Sequence, residues 1–341
     1  MEKKSYFIGI DISAEDFSAC CITDPDNVLI PSEKYSNQID GYLQFTSLLK
    51  SHNVQKSEAI VCMEATGVYA EKLSYFMAAE GFTVCIEAPH KIKNKTKDTP
   101  RKNDYLDAKL IAEYAFRYTD KLSYWQPKSE ILEQIQVLLT AREHLTIQMT
   151  ANNNSLKALK YKYYQTPLAN QIYQKLITEL KEQIKRIDKE IKSLIDKDDN
   201  FKKKVSLAKS VPGVGLLLAA NLLVLTRGFP DHTNYKHIAA YAGICPYEQT
   251  SGSSLNKLPK SVKCGHKKLR KLLYLAALSV RTHNENFKKY FLRKVAEGKS
   301  KRLVINNIEN KLIKVIFAVV NSEIEYCKSY KSINPNLLKS A

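Results

Sequence analysis

The stretch YFIGIDISAEDFSACCIT, residues 6–23, decides the fold. Two apolar runs are separated by the polar residues AED, a pattern typical of two antiparallel strands. Two later apolar runs, AIVCME at 59–64 and FTVCIEA at 82–88, flank a segment with helical periodicity at 69–80, as a βαβ unit requires. With a further helix expected at 42–50, the first 125 residues are predicted to form an α/β domain, a mixed sheet with helices packed on it.

The composition indicates a soluble globular protein with a polyanionic partner. The 341 residues are 44% hydrophobic, and 53 Lys and Arg against 35 Asp and Glu give a net charge of +18. A charge of this size attracts nucleic acid through long-range attraction and counterion release. No apolar run is long enough to cross a membrane. The apolar N-terminal run reaches Asp11 too early for a signal peptide, so a cytoplasmic protein is expected.

The seven cysteines favour a reducing compartment, because their number is odd and no C-x-x-C pair occurs. Cys245, Cys264 and His266 form only a partial metal-binding set. Buried or incidental thiols are therefore the preferred interpretation.

Residues 128–200 contain no glycine and show helical periodicity, which predicts long helices. The second half carries a heptad stripe that is typical of a coiled coil, formed by Tyr173, Ile177, Leu180, Ile184, Ile187, Ile191 and Leu194. Its partner is either the segment at 131–159, folded back, or the same helix of another subunit. The expected domains are residues 1–125, a helical coiled-coil region at 126–204, and a mainly α-helical domain at 205–341.

Four acidic residues of the first domain are candidate metal ligands. Asp11 and Glu64 end predicted strands among apolar neighbours, where a lone buried carboxylate is costly. Asp104 and Asp107 are three residues apart, so they share one face near the start of a predicted helix, with Asn103 as a plausible cap. Such carboxylates suit Mg²⁺ or Mn²⁺, and two such ions can activate a phosphodiester. Taken singly, each acid is also compatible with a cap, an ion pair or a surface position.

The last domain holds two further candidate sites. The PGVG turn, with Gly213 and Gly215, can face a phosphate with its N–H groups, although it is equally typical of a tight turn between helices. Farther on, the hydroxyls of TSGSS at 250–254 lie in a predicted loop before a basic helix. The cations expected to contact nucleic acid there are Lys260, Lys263, Lys267, Lys268, Arg270 and Lys271.

Three segments resemble one protein family: IGIDIS at 8–13, MEATGVYA at 63–70 and KNDYLDAKLIAEYA at 102–115. They resemble the DEDD transposases of the IS-one-ten (IS110) group of insertion sequences, relatives of the Piv DNA invertases. The resemblance implies an N-terminal domain similar to the Holliday-junction resolvase RuvC, which has a ribonuclease H-like fold. It also implies a metal-binding tetrad, and its members here are Asp11, Glu64, Asp104 and Asp107.

The same resemblance extends to the C-terminal transposase domain, where Pro246 leads to Ser251-Gly252 and Ser251 is the implied nucleophile. The implied reaction is recombination: the serine attacks DNA, holds one end as a phosphoserine, and a 3′ hydroxyl later reverses the step. A noncoding RNA encoded by the element is the implied guide, and a dimer or tetramer acting at the bacterial nucleoid is the implied assembly.

Two other functions stay open at this point. The first is a RuvC-like, Mg²⁺-dependent nuclease that resolves DNA junctions by hydrolysis and needs no serine. The second is a noncatalytic protein that binds RNA and DNA.

Overall fold

The computed structural model describes residues 4–65, 67–93, 104–164, 166–230, 234–251, 255–261 and 265–327. The chain divides into two compact units, Met1–Pro127 and Lys128–Ala341. This division lies two residues from the expected boundary after residue 125. The boundary expected after residue 204 falls inside a helix of the second unit.

The first unit is a five-stranded mixed sheet with helices on both faces. Along the sheet the strands are ordered β3-β2-β1-β4-β5, with β2 antiparallel to both of its neighbours and β1, β4 and β5 mutually parallel. Its elements are β1 (Tyr6–Ile12), β2 (Asp16–Asp24), β3 (Asn27–Ser36), α1 (Ile39–Ser51), β4 (Ala59–Glu64), α2 (Glu71–Ala79), β5 (Thr83–Glu87), α3 (Pro89–Lys93) and α4 (Asp104–Arg117). The predicted hairpin followed by a parallel βαβ unit is confirmed.

The two faces of this sheet are covered by different helices. Ile8 and Ile10 of β1 point into a core with side chains of α1 and α2, such as Phe45 and Leu73. Phe7 points to the opposite face and packs in a second core with residues of α4. Because helices cover both faces, the central strands are nearly continuous apolar runs, as buried parallel strands are.

The strand β3 was not predicted from the sequence. Its residues are mostly exposed, with Ile30 and Tyr35 among its few buried side chains, and it contains Pro31. β3 is the edge strand of the sheet, and an edge strand tolerates a proline because one row of its backbone groups has no strand partner. Proline in the middle of the run hid the strand pattern.

The second unit is helical apart from one hairpin of strands. Its described elements are α5 (Glu130–Leu159), α6 (Pro167–Asp196), α7 (Asp199–Ser210), α8 (Leu216–Leu225), α9 (Tyr235–Tyr241), β6 (Pro246–Ser251), β7 (Leu255–Ser261), α10 (Lys267–His283), α11 (Glu285–Ala296) and α12 (Lys301–Ser322). The prediction of a loop around residues 250–254 was wrong at Thr250 and Ser251, which belong to β6. Residues 252–254 lie outside the described residues.

The helices α5 and α6 are long, as predicted, and lie side by side. The guanidinium of Arg142 donates from Nε and Nη2 to the Asp188 carboxylate at 2.6 and 3.2 Å, which ties the two helices together. All seven residues of the heptad stripe on α6 are buried or half-buried. Of the two partners that the sequence allowed for this stripe, the folded-back helix α5 is therefore present. The coiled-coil geometry itself stays a prediction.

The core of the second unit surrounds α8, whose residues Leu218 to Val224 are all buried. Side chains of α7, α10 and α12 pack against it. In the part of the chain that the structure describes, no helix combines the length and the apolar character needed to span a bilayer.

Candidate active site

Asp11 and Glu64 lie next to each other at the carboxyl ends of the neighbouring strands β1 and β4, and these strand ends form one edge of the sheet. The strands β1 and β4 are parallel neighbours, with Gly9 beside Cys62 and Ile10 beside Met63, so the next pair in this register is Asp11 and Glu64. Residues at the same level on adjacent strands point to the same face. Both side chains are half-buried. The register thus brings together two carboxylates that are 53 residues apart in the sequence.

The helix α4 reaches this edge because Gly9 lets its backbone touch β1. A Cβ on Gly9 would lie 2.1 Å from the Ala108 carbonyl oxygen and 2.3 Å from the Ala112 nitrogen. One end of α4 is fixed farther along the strand, where Phe116 packs edge-on against Phe7 with the ring centroids 5.1 Å apart. The helix therefore runs antiparallel to β1, with its N-terminus directed toward Asp11.

This direction brings the start of α4 to the level of the two strand carboxylates. Four residues of helix, from Ala108 back to Asp104, rise about 6 Å. Two residues of strand, from Gly9 to Asp11, rise about 7 Å. Asp107 is half-buried beside the Ala108 contact. The backbone of Asp104 begins α4, but its side chain and Asn103, the expected cap, lie outside the described residues.

A third strand carboxylate, Glu87 of β5, lies beside Glu64. It was not predicted as a site residue. Its carboxylate accepts from the Lys91 ammonium at 2.7 Å and from the Ser123 backbone N–H at 2.9 Å, and the side chain is only 1% exposed. Because protein groups satisfy this carboxylate, Glu87 fits a structural role that holds β5 to α3.

The donor set at this edge fits a hard divalent cation. Carboxylate oxygens are the ligands that Mg²⁺ and Mn²⁺ take in proteins. Among the side chains that the structure describes, no three Asp, Glu, His or Cys residues form a ready metal-binding group. Thiols are close by in the same core, but burial raises the pKa of Cys20 to about 11 and that of Cys85 to about 12, so these thiols stay protonated at neutral pH.

The second candidate centre, Ser251, ends β6 at the tip of the β6–β7 hairpin. Its backbone pairs with Leu255 of β7, and nothing of its side chain is described. The hairpin is anchored at its root by α12. There the carbonyl oxygen of Ile244 accepts from Nδ2 of Asn306 at 2.9 Å and from Nδ2 of Asn310 at 3.0 Å. Two amides on one carbonyl fix the point from which β6 starts.

His266 connects the start of α10 to the end of α9. Its ring stacks on Tyr241 with centroids 5.2 Å apart, its backbone N–H donates to the Tyr241 carbonyl at 2.8 Å, and its Nδ1 accepts from the Leu269 N–H at 3.1 Å. Burial lowers the pKa of His266, which favours the neutral ring that can accept this bond. His266 therefore caps α10, and a metal role with Cys245 is not supported by these contacts.

The predicted cations of this region differ in their surroundings. Lys267 and Lys271 are exposed on α10. Lys268 instead donates to the Leu139 carbonyl of α5 at 2.7 Å and pairs with Glu143 at 3.3 Å. Arg270 is half-buried and interacts electrostatically with Glu309 of α12. The side chains of Lys260 and Lys263 lie outside the described residues.

The PGVG turn joins α7 to α8, and the helix-hairpin-helix-like arrangement stays a prediction. Gly213 has a φ of +79°, and a Cβ there would lie 2.6 Å from Val280 and 2.9 Å from the Ala276 carbonyl oxygen, both on α10. Gly215 precedes α8, and a Cβ there would meet open space. Both glycines are exposed, so contact of this turn with a phosphate stays a prediction.

Two family models match the chain. A transposase model of the DEDD type from IS110 matches residues 8–164. A second model, described as the transposase of the IS116/IS110/IS902 family, matches residues 205–292. The first range contains Asp11, Glu64, Asp104 and Asp107, and the second contains Ser251.

Two pilin gene-inverting proteins are similar over nearly the whole chain, and insertion-element proteins are similar over part of it. A pilin gene-inverting protein of Moraxella lacunata is 29% identical over 330 residues, which are 94% of this chain and 98% of that protein. An uncharacterised protein of insertion element IS110 from Streptomyces coelicolor is 28% identical over 117 residues, 34% of this chain and 29% of that protein.

Among solved structures, Thermus thermophilus RuvC in complex with a Holliday junction substrate matches 35% of this chain and 99% of its own, at 13% identity and a TM-score of 0.28.

Proposed function

The chain belongs to the IS110 family of transposases, and we propose that it cuts and rejoins DNA through an acidic tetrad and a serine nucleophile. The tetrad is Asp11, Glu64, Asp104 and Asp107, and the nucleophile is Ser251. The pilin gene-inverting relative is similar over 94% of this chain, which supports a recombinase acting on DNA.

The parallel register of β1 and β4, which places Asp11 beside Glu64 when it is continued by one residue, is the observation that supports this proposal most strongly. Two half-buried carboxylates at this spacing offer oxygen ligands to a divalent cation, which would offset their mutual repulsion. The close contact at Gly9 directs the start of α4, and with it Asp104 and Asp107, to the same edge.

The tetrad would hold Mg²⁺ or Mn²⁺. When bound, such an ion polarises the phosphodiester and stabilises the negative charge that develops on its oxygens. The carboxylates would hold the ion in position. Gly9 lets α4 pack closely on β1, so that the acids of the helix and of the strands could share one ion. Neighbouring Glu87 is bound by the Lys91 ammonium and the Ser123 N–H, which fits a structural role.

In the proposed strand transfer, Oγ of Ser251 attacks the phosphorus. An Oγ–P bond forms, the bond from phosphorus to the DNA 3′ oxygen breaks, and the serine proton passes to that oxygen, which leaves as a 3′ hydroxyl. A 3′ hydroxyl of the other duplex then attacks the phosphoserine and releases the serine. Each step exchanges one phosphoester for another, so no external energy source is needed. Exposed Lys267 and Lys271 would offset the phosphate charge.

We further propose that a noncoding RNA encoded by the element selects the DNA sites, and that a dimer or tetramer carries out the exchange. The net charge of +18 agrees with binding of RNA and DNA phosphates. The DNA substrate would bring the protein to the bacterial nucleoid.

A covalent adduct tests the nucleophile most directly. The full-length protein, with its copurified RNA and Mg²⁺, is incubated with labelled duplex DNA spanning the end of its element, then denatured and separated by electrophoresis. We expect labelled protein from the wild type and none from Ser251→Ala. Ser261→Ala is the matched control, because Ser261 is an exposed serine at the other end of the same hairpin and should leave the adduct intact.

The alternatives give different results in the same assay. A nuclease acting by hydrolysis would cut DNA at the same rate in Ser251→Ala and never form an adduct. A noncatalytic binding protein would retain the DNA without any cleavage. Loss of cleavage in Asp11→Asn, with binding preserved, would support the metal-binding role of the tetrad.

A further inference from the structure

The connection between α5 and α6 exposes an unusual group of tyrosines. Tyr161 and Tyr163 are each 91% exposed, and Tyr164 is 85% exposed. The rings of Tyr163 and Tyr164 touch only edge to face, with centroids 4.9 Å apart. Single exposed aromatic residues are common, but three within four residues form a patch that normally has a partner. We call residues 157–164 the hairpin tip.

The hairpin tip is also strongly basic. No Asp or Glu occurs between residues 144 and 178, although the whole chain has 35 of them. The same segment carries four lysines, Lys157, Lys160, Lys162 and Lys175, and all four are exposed. Most acids of α5 and α6 lie nearer to the opposite end of the helix pair, and Asp188, which pairs with Arg142, is one of them. The tip is therefore a cationic surface with aromatic rings between the charges.

We propose that the hairpin tip binds unpaired bases of a single-stranded RNA segment. Lysines attract the phosphates, while exposed tyrosine rings stack on bases that are not already stacked in a duplex. The order Lys160-Tyr161-Lys162-Tyr163-Tyr164 alternates these two functions along a short turn. This assignment of RNA rests on the proposed function, in which the DNA is largely double-stranded and the guide supplies the unpaired loops.

A second copy of the chain fits the tip less well. Two tips facing each other would bring lysines together with no acid from residues 144–178 to compensate them. The surface is also small, because it is one turn of eight residues, whereas stable protein interfaces bury about 800 Å² on each partner. Charge and size both favour a flexible polyanion.

Photocrosslinking locates the contact directly. Full-length protein, freed of copurified RNA, is mixed with a 12-nucleotide RNA that contains 5-iodouridine, irradiated, digested and analysed by mass spectrometry. We expect crosslinks at Tyr161, Tyr163 or Tyr164. Crosslinks confined to other parts of the chain would overturn the proposal.

Affinity measurements separate stacking from charge. Fluorescence anisotropy with a labelled 12-nucleotide oligouridine at high salt suppresses the phosphate contribution. The triple variant Tyr161→Ala, Tyr163→Ala, Tyr164→Ala should bind at least about tenfold more weakly, since each stacked base contributes substantially. The triple Tyr→Phe variant keeps the rings and should bind like wild type. Because the rings are exposed, the melting temperature should not change in either variant.

Each other outcome counts against the proposal. Unchanged RNA affinity in the Ala variant overturns it, as does a loss that is confined to single-stranded DNA. A change of oligomeric state with RNA binding preserved would indicate a protein interface instead. Neither measurement involves strand cleavage, so a wild-type protein that binds this RNA but forms no DNA adduct would refute the proposed function and leave the tip assignment standing.

Discussion

Replacing Gly9 by alanine should damage the catalytic centre without touching any acidic residue. The new Cβ would lie 2.1 Å from the Ala108 carbonyl oxygen, 2.3 Å from the Ala112 nitrogen and 2.9 Å from the Ala112 Cα. All three are backbone atoms of α4, so no side chain can turn away to make room. Trimming Ala112 to glycine would not relieve the contact.

The helix must therefore move away from the sheet. Taking the Ala108 oxygen from 2.1 Å to an ordinary contact of 3.4 Å requires a displacement of about 1.3 Å. Overpacking of this kind costs about 1–3 kcal/mol of stability. The larger effect is on catalysis, because α4 carries Asp104 and Asp107, and a misplacement of about 1 Å can slow a reaction on the order of 100-fold.

The assay is the rate of adduct formation at saturating Mg²⁺, at a temperature where the variant is fully folded. Leu49→Ala is the control: Leu49 is 1% exposed in the core on the opposite face of the sheet, and its loss should cost about 2–5 kcal/mol. We expect Leu49→Ala to lower the melting temperature and keep the rate, while Gly9→Ala loses the rate. Equal rates in Gly9→Ala and wild type would refute the idea that close packing of α4 on β1 builds the centre.

Three further predictions follow from single contacts. Glu64→Gln should abolish cleavage, because it removes a charged ligand of the proposed ion. Glu87→Gln should lower the melting temperature, because its buried carboxylate binds an ammonium and a backbone N–H. Loss of cleavage in a well-folded Glu87→Gln, with full cleavage in Glu64→Gln, would exchange their assignments. Lys268→Ala should destabilise the protein, because the Lys268 ammonium holds α10 to α5. Lys267→Ala should leave the protein folded and reduce the slope of log binding constant against log salt concentration by about one. Identical effects of the two variants would contradict these roles. Burial raises the pKa of Glu309 from 4.5 to about 7. The folded protein therefore loses stability as the pH rises between these two values, because the unfolded chain ionises more easily. Glu309→Gln should increase the melting temperature at pH 8 but not near pH 4.5. A gain of the same size at both pH values would rule out this cause.

Much of the first unit was predictable because its strands are short apolar runs with clear ends. The hairpin of β1 and β2 and the parallel pair β4 and β5 follow from that pattern. The edge strand β3 did not, because Pro31 and its exposed residues conceal the run. At the site, the strand ends identified Asp11 and Glu64 as candidates, but the sequence could not separate Glu64 from Glu87. Both follow an apolar strand in the sequence. In the structure Glu87 is almost fully buried and bonded to Lys91 and Ser123, whereas Glu64 is half-buried.

The basic C-terminal region shows a different limit of sequence reasoning. The excess of Lys and Arg identifies a cationic region, but it does not show which of these side chains face solvent and which make contacts within the fold. Lys268 is adjacent to Lys267, yet its ammonium donates to the Leu139 carbonyl within the fold. Successive residues of a helix point to different sides, so only one of the two lysines faces α5. The tyrosines of the hairpin tip were also not recognised, because a Lys-Tyr alternation in a helical region does not show which rings are left uncovered.

The central claim is that carboxylates from two strands and one helix bind a divalent ion. Crystals of the full-length protein grown with Mn²⁺ test it, because anomalous scattering locates manganese independently of the refined atoms. We expect a peak within about 2.5 Å of carboxylate oxygens of Asp11 and Glu64, with Asp104 or Asp107 completing the shell. Manganese bound elsewhere, with no peak at this edge of the sheet, would contradict it.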